Sequence, residues 1–155
     1  MSRAFVRDSD SDAPDALPDR PISPHPNFVT RSGLAKIDSR LRELEAVRST
    51  ALSSEDRATL TGIERELRYW KQRRSSARII APPATPEIVR FGVAVSLQFD
   101  DGAERHYRLV GEDEADPPAG LISWTSPVGS ALIGRRAGDI VQITGRQAQI
   151  IAMQA

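Results

Sequence analysis

The residues best suited to chemistry in this sequence are acidic. Glu112, Asp113, Glu114 and Asp116 crowd one short stretch, GEDEADPPAG. Clustered carboxylates bind divalent cations or share protons, so metal binding is the first chemistry to test. The stretch lacks the alternating ligands, central glycine and distant terminal glutamate of an EF-hand loop, and its last aspartate runs into Pro117. It reads as a turn closing a strand, either solvated or docking arginines, and no metal site is expected there.

Other chemistry has less to work with. The two histidines are His25, in a proline-rich stretch, and His106, which alternates with Tyr107 along a strand. No G-x-S-x-G, Walker loop or G-x-G-x-x-G occurs. The chain has no cysteine, which excludes disulfides, cysteine zinc sites and thiol catalysis. An active site of its own is therefore not expected, and no cofactor is called for. Two further groups invite a partner. Glu55 and Asp56 stand side by side, where they either favour a helix start or are delivered into another protein's cavity. Arg68, Lys71, Arg73, Arg74 and Arg78 form a basic run, either a solvated face or a contact for an acidic partner or nucleic acid.

The elements that must position these residues follow from composition and period. The chain has 155 residues, 39% of them apolar, and a formal net charge of zero. That zero hides segregation: residues 1–30 carry 3 Arg against 5 Asp, residues 31–78 carry 12 cations against 7 anions, and residues 79–155 carry 6 against 9. No apolar stretch approaches the ~18 residues of a membrane span, and no signal-like h-region opens the chain. A cytoplasmic protein is expected. Residues 1–27 hold five of the eleven prolines and few large apolar side chains, the composition of a disordered leader.

From Thr30, a plausible N-cap, Leu34, Ile37, Leu41 and Leu44 recur at alternating 3-4 spacing. Leu60, Ile63, Leu67 and Trp70 repeat the pattern after an interruption over Arg48–Arg57, with Ser53 or Ser54 expected to cap the second helix. Two such seams bury one another in an antiparallel coiled-coil hairpin over residues 28–80, and a monomer suffices to bury them. Residues 81–87, APPATPE, form a proline linker. In 88–155 the period becomes two: strands over Val93–Phe99, around Tyr107, over Leu121–Trp124, Ile140–Thr144 and Gln147–Met153. A single helix starts on Ser126 and Pro127 and stops before Gly134. The expected fold class is α+β, a helical hairpin followed by an antiparallel sheet with one short helix.

The stretch YRLVGEDEADPPAGLISWTSPVGSALIGRRAGDIVQI resembles the C-terminal domain of the GreA/GreB transcription elongation factors almost position by position. FVTRSGLAKIDSRLRELEAVR is similar to the start of their N-terminal coiled coil. The resemblance runs from about Phe28 to the C-terminus. It implies an FKBP-like C-terminal domain that docks on the rim of the secondary channel of bacterial RNA polymerase, and a coiled coil inserted through that channel. It implies that tip carboxylates, here Glu55 and Asp56, help hold a second Mg²⁺ in the polymerase active site, where the polymerase cuts its own backtracked RNA. It implies a docking surface of Asp113, Glu114, Asp116, Ser123, Ser126 and Pro127. The chain departs from the family at the hairpin, which is shorter by about six residues per helix, or about 9 Å of reach. The family's tip pattern of Asp and Glu three apart is replaced by the adjacent pair.

A shortened hairpin also resembles the Rnk branch of Gre-like proteins, regulators of nucleoside diphosphate kinase, which implies a competitor of Gre factors that does not assist cleavage. Two other assignments compete. An FKBP-type prolyl isomerase needs an apolar aromatic pocket, for which residues 79–155 offer Phe91, Phe99, Tyr107 and Trp124. Direct nucleic-acid binding through Arg68 to Arg78 would be non-specific and salt-sensitive, because no base-reading motif accompanies the charges.

Overall fold

The computed structural model describes residues 17–155; the expected leader's first part, 1–16, lies outside the described residues. Helix α1 spans Arg31–Ser53 and α2 spans Arg57–Ser76. Thr30 caps α1 by accepting from the Gly33 amide at 2.9 Å. The two seams meet over most of the predicted spacing: Leu44, Ala51, Ile63 and Leu67 are buried together with Leu41, Leu60 and Trp70 packed against them, whereas Ile37 is buried outside that cluster and Leu34 is only half-buried. Each buried Leu or Ile contributes about 1.5–3 kcal/mol. Ion pairs Lys71–Glu45 (2.9 Å) and Arg74–Asp38 (2.5 Å) flank the seam, exposed and worth little each.

The hairpin turn is tighter than the sequence predicts. Helix α1 continues to Ser53, and Ser54 turns its hydroxyl back onto the Thr50 and Ala51 carbonyls. Neither serine caps α2. Asp56 does, accepting from the Thr59 amide at 3.1 Å and the Thr59 hydroxyl at 2.5 Å. A carboxylate accepts two donors at once, which Ser54, committed to the helix behind it, does not.

At the other end the chain enters and leaves the hairpin side by side. Strands β1 (Phe28–Val29) and β2 (Arg78–Ile79) pair in parallel, Phe28 opposite Arg78. Beyond the prolines, β3 (Ala94–Phe99), β4 (Glu104–Val110), β5 (Leu121–Ser123), β6 (Ile140–Ile143) and β7 (Arg146–Gln154) form one sheet in the order β5-β4-β3-β7-β6. Helix α3, Pro127–Leu132, lies beside β5 and β6. Val95, Leu97, Leu109, Leu132, Val141 and Ile150 centre the core.

Two details differ from the expected antiparallel sheet. β5 runs parallel to β4, Arg108 opposite Leu121, because residues 111–120 form a crossover and not a hairpin. That crossover is the acidic turn, closed by a 3-10 turn at Pro117–Ala119. The β6–β7 loop is Thr144-Gly145, because Ile140–Ile143 ends one residue before the expected Ile140–Thr144 strand and β7 begins one residue before the expected Gln147. Both loop residues have positive φ (49° and 79°), as a two-residue hairpin loop demands.

Residues 17–27 also depart from a free leader. They run along α2 and bend at Pro24 and His25, and the Arg65 Nε donates to the Pro18 carbonyl at 2.6 Å and Arg68 pairs with Asp19 at 2.7 Å. Four prolines in this stretch hold it extended before it packs, which lowers the entropy lost on docking.

Candidate functional site

The acidic turn faces inward. Glu114 is buried and accepts from the Thr30 hydroxyl at 2.5 Å and the Ser32 hydroxyl at 2.6 Å. Asp113 accepts from the Tyr69 hydroxyl at 2.5 Å and pairs with Arg73, whose side chain is only 2% exposed. Glu112 completes the Arg73 contact at 3.4 Å and accepts from Thr125 at 3.1 Å. Three consecutive carboxylates thus fasten the base of the hairpin to the sheet. Asp113 and Glu114, expected on a partner-facing surface, are spent in this joint, because hydroxyls and a guanidinium inside the chain reach them first. Burial and the neighbouring Asp113 carboxylate push the Tyr69 phenol up to about 12.

The rest of the expected docking set shapes one loop. Ser126 accepts from the Gly129 amide at 3.1 Å and donates to the Ser123 carbonyl at 2.7 Å; Ser123 accepts from the Thr125 amide. Pro127 and Asp116 are exposed. Their chain neighbours Pro117 and Val128 line a cavity of about 290 Å³ together with Phe99, Tyr107, Ile122 and Ile143, and with Arg105 and Arg146 beside them. Arg146 stands 4.6 Å over the Phe99 ring and is paired within the chain with Asp101 at 2.6 Å and Asp100 at 3.5 Å, which leaves Arg105 as the exposed cation of the cup. This apolar cup with cationic residues is the surface the sequence reading missed. Its signal was present in Phe99, Tyr107, Ile122 and Ile143, which share the inward side of the strands.

The four aromatics considered for an isomerase pocket do not share one cavity: Phe99 and Tyr107 line the cup, whereas Phe91 and Trp124 both pack on Phe28. Phe91 and Phe99 are buried, Tyr107 packs on the core, and Trp124 stacks on Phe28 with ring centroids 5.0 Å apart.

At the far end, the two tip carboxylates are not equivalent. The Glu55 and Asp56 amides donate back to the Leu52 and Ala51 carbonyls, the paired bonds of a Schellman stop. Glu55 occupies the left-handed position where glycine is usual, at φ 56°. Its carboxylate accepts no hydrogen bond among the described residues, whereas Asp56 is engaged by Thr59, whose hydroxyl and amide hold its pKa below the ordinary value.

The basic run is likewise divided. Arg73 is buried in the joint, Arg68, Lys71 and Arg74 are paired with Asp19, Glu45 and Asp38, and Arg78 remains exposed beside Asn27 and Ser76. The expected five-residue contact surface for an acidic partner or nucleic acid is largely neutralised from within. Sequence reasoning also missed Tyr69, whose only cue was its i, i+4 relation to Arg73 on a face away from the seam. Among the described residues, no group of three or more His, Asp or Glu is placed to hold a metal ion, and no helix is long and apolar enough to cross a membrane.

A helical arm closed at its base and fastened to an α+β domain defines an arm-bearing factor. Residues 84–153 match the family model described as "Transcription elongation factor, GreA/GreB, C-term". The chain is 34% identical to transcription elongation factor GreB of Pasteurella multocida over 137 residues, covering 76% of this chain and 86% of that protein. It is 30% identical to transcription elongation factor GreA of Paracoccus denitrificans over 149 residues, 81% of this chain and 96% of the relative. Among solved structures, GreA factor homolog 1 of Thermus thermophilus superposes with a TM-score of 0.41 at 21% identity, covering 84% of this chain and all of that one. The chain belongs to the GreA/GreB family of transcription elongation factors.

Proposed function

We propose that this chain binds bacterial RNA polymerase as an elongation regulator, docking through the C-terminal domain and presenting the hairpin tip at the secondary channel. The observation that carries the reading is the extent of the GreB match. A match over 76% of the chain extends well beyond the C-terminal domain into the arm. Docking is assigned to the cup between Asp116-Pro117 and Pro127-Val128, with Ser123 and Ser126 holding its rim, and not to Asp113 or Glu114. Apolar lining with the exposed Arg105 at its edge suits a partner that offers apolar side chains and a carboxylate.

Glu55 is the residue presented. A single free carboxylate cannot hold Mg²⁺ by itself, so any metal it touches remains the polymerase's, and RNA cleavage remains the polymerase's reaction. The chain is a factor and not an enzyme in this reading, acting as a monomer in the cytoplasm, with nucleic-acid contact limited to a weak, salt-sensitive contribution from Arg78.

The test is co-migration with bacterial core RNA polymerase and competition with a Gre factor, comparing wild type with Arg105→Ala/Asp116→Ala/Pro127→Ala. Binding that competes and weakens about tenfold in the variant, equivalent to about 1.4 kcal/mol, supports the docking surface. Equal binding by a folded variant refutes it. Transcript cleavage with wild type and Glu55→Ala then tests the tip. The Rnk-like competitor is not favoured by the relatives, which are GreB and GreA factors; the arms of 23 and 20 residues measure about 30–35 Å. Competition without cleavage by the wild type selects the competitor reading.

A further inference from the structure

We propose that residues 17–27 are a strap that fixes the angle between the helical arm and the C-terminal domain. The strap touches both bodies. On the arm, Pro18 and Asp19 take Arg65 and Arg68, and Arg20 pairs with Glu66 at 2.7 Å while its guanidinium lies 3.7 Å over the Tyr69 ring. At the foot of α2, the Asn27 amide donates to the Arg73 carbonyl at 2.7 Å and the Ser76 hydroxyl at 3.2 Å. On the domain side, the Ser23 hydroxyl donates to Glu112 at 2.8 Å, and the His25 ring meets Trp124 edge-on at 5.8 Å.

These contacts converge on the joint. Tyr69 carries Arg20 on its ring and donates a hydrogen bond from its hydroxyl to Asp113, so the strap, α2 and the acidic turn form one continuous series. Polar joints between two bodies of one chain leave relative motion as the default. The acidic turn holds the foot of α2 near Arg73, a pivot. The strap adds attachment at Arg65, Glu66 and Arg68, one to two turns further out, where a tether resists rotation about that pivot. Its prolines restrict it to an extended path before it binds. The inference goes beyond the polymerase reading and does not depend on it.

The absence of native cysteine permits clean spin labelling of the full chain. One pair of labels at Ser54→Cys and Gln149→Cys reports the arm-to-domain distance, and a second pair at Ala35→Cys and Gln72→Cys reports the arm alone. In the full chain the first distribution is narrow. Deleting residues 2–21, or replacing Arg20, Ser23 and His25 with Ala, broadens it about twofold while the second pair stays unchanged. An unchanged first distribution overturns the proposal. So does broadening of both pairs, which would make the residues a brace of the arm itself and not a setter of its angle.

Discussion

Thr30 and Glu114 stand 84 positions apart, yet the threonine hydroxyl donates to the glutamate at 2.5 Å while accepting from the Gly33 amide at 2.9 Å. One side chain therefore starts α1 and ties it to the sheet domain. Glu114→Ala removes the shared acceptor of the Thr30 and Ser32 hydroxyls, which stand 2.9 Å apart. The expected loss is about 2 kcal/mol in urea unfolding, and Glu114→Gln, which retains an acceptor oxygen, loses less. Equal unfolding midpoints for wild type and Glu114→Ala would show that water replaces the carboxylate.

Arg73 and Asp113 form the most buried ion pair in the described residues, with side chains 2% and 10% exposed. Removing one partner strands the other charge, so Arg73→Met or Asp113→Asn alone costs about 3 kcal/mol. The double variant recovers part of that loss, and a double-mutant cycle by denaturant unfolding reads the coupling. Additive losses would mean that the two residues act separately.

Tyr69 gives a pH signature. Its folded-state pKa of about 12 exceeds the ordinary value of 10, so the folded chain retains a proton that the unfolded chain releases. The associated stability is complete below pH 10 and is lost as pH rises towards 12. The chain has two tyrosines, so a Tyr107→Phe background isolates the signal in a phenolate absorbance titration. Asp113→Asn removes a like charge and lowers the midpoint.

Glu55 sets stability against function. Glycine tolerates the left-handed position that Glu55 occupies, so Glu55→Gly raises stability by roughly 1 kcal/mol. The same change removes the free tip carboxylate and lowers any stimulation of transcript cleavage. Asp56→Ala does the reverse: α2 loses its cap and the melting temperature falls, with Glu55 still in place. A Glu55 variant that stimulates cleavage by the polymerase as well as wild type would exclude that carboxylate from the reaction.

Gly129 reports on the rim of the cup. A Cβ there would lie 2.3 Å from the Ser123 carbonyl oxygen and 2.9 Å from that of Trp124. Alanine is ordinarily the better helix former by about 1 kcal/mol. Here the backbone blocks it, so Gly129→Ala destabilises by about 2 kcal/mol and displaces the Ser123–Ser126 loop. Thermal unfolding and polymerase binding should fall together.

The seams and the Ser-Pro helix were legible because periodicity and capping act between near neighbours. Leu44 and Leu67 are buried where their spacing puts them, and Ser126 caps where its type predicts. The acidic turn was legible as a feature and not as a contact. Nothing local says that Glu114 meets Thr30 or that Asp113 meets Arg73, since those partners are 84 and 40 positions away. Proline content marked residues 1–27 as a disordered leader, but whether such a segment stays free depends on the donors that α2 presents to residues 17–27. The parallel β5 was hidden for the same reason, because a ten-residue crossover and a long hairpin loop look alike in sequence.

The two-residue parallel ladder of Phe28 and Val29 with Arg78 and Ile79 closes the arm upon itself. Everything distal to that clasp is a module whose length can change without rewiring the sheet beneath it. Matched heptads gained or lost in both helices preserve the seam and shift the tip by about 10 Å each. Such a clasp turns reach into a quantity that evolution can set independently of attachment.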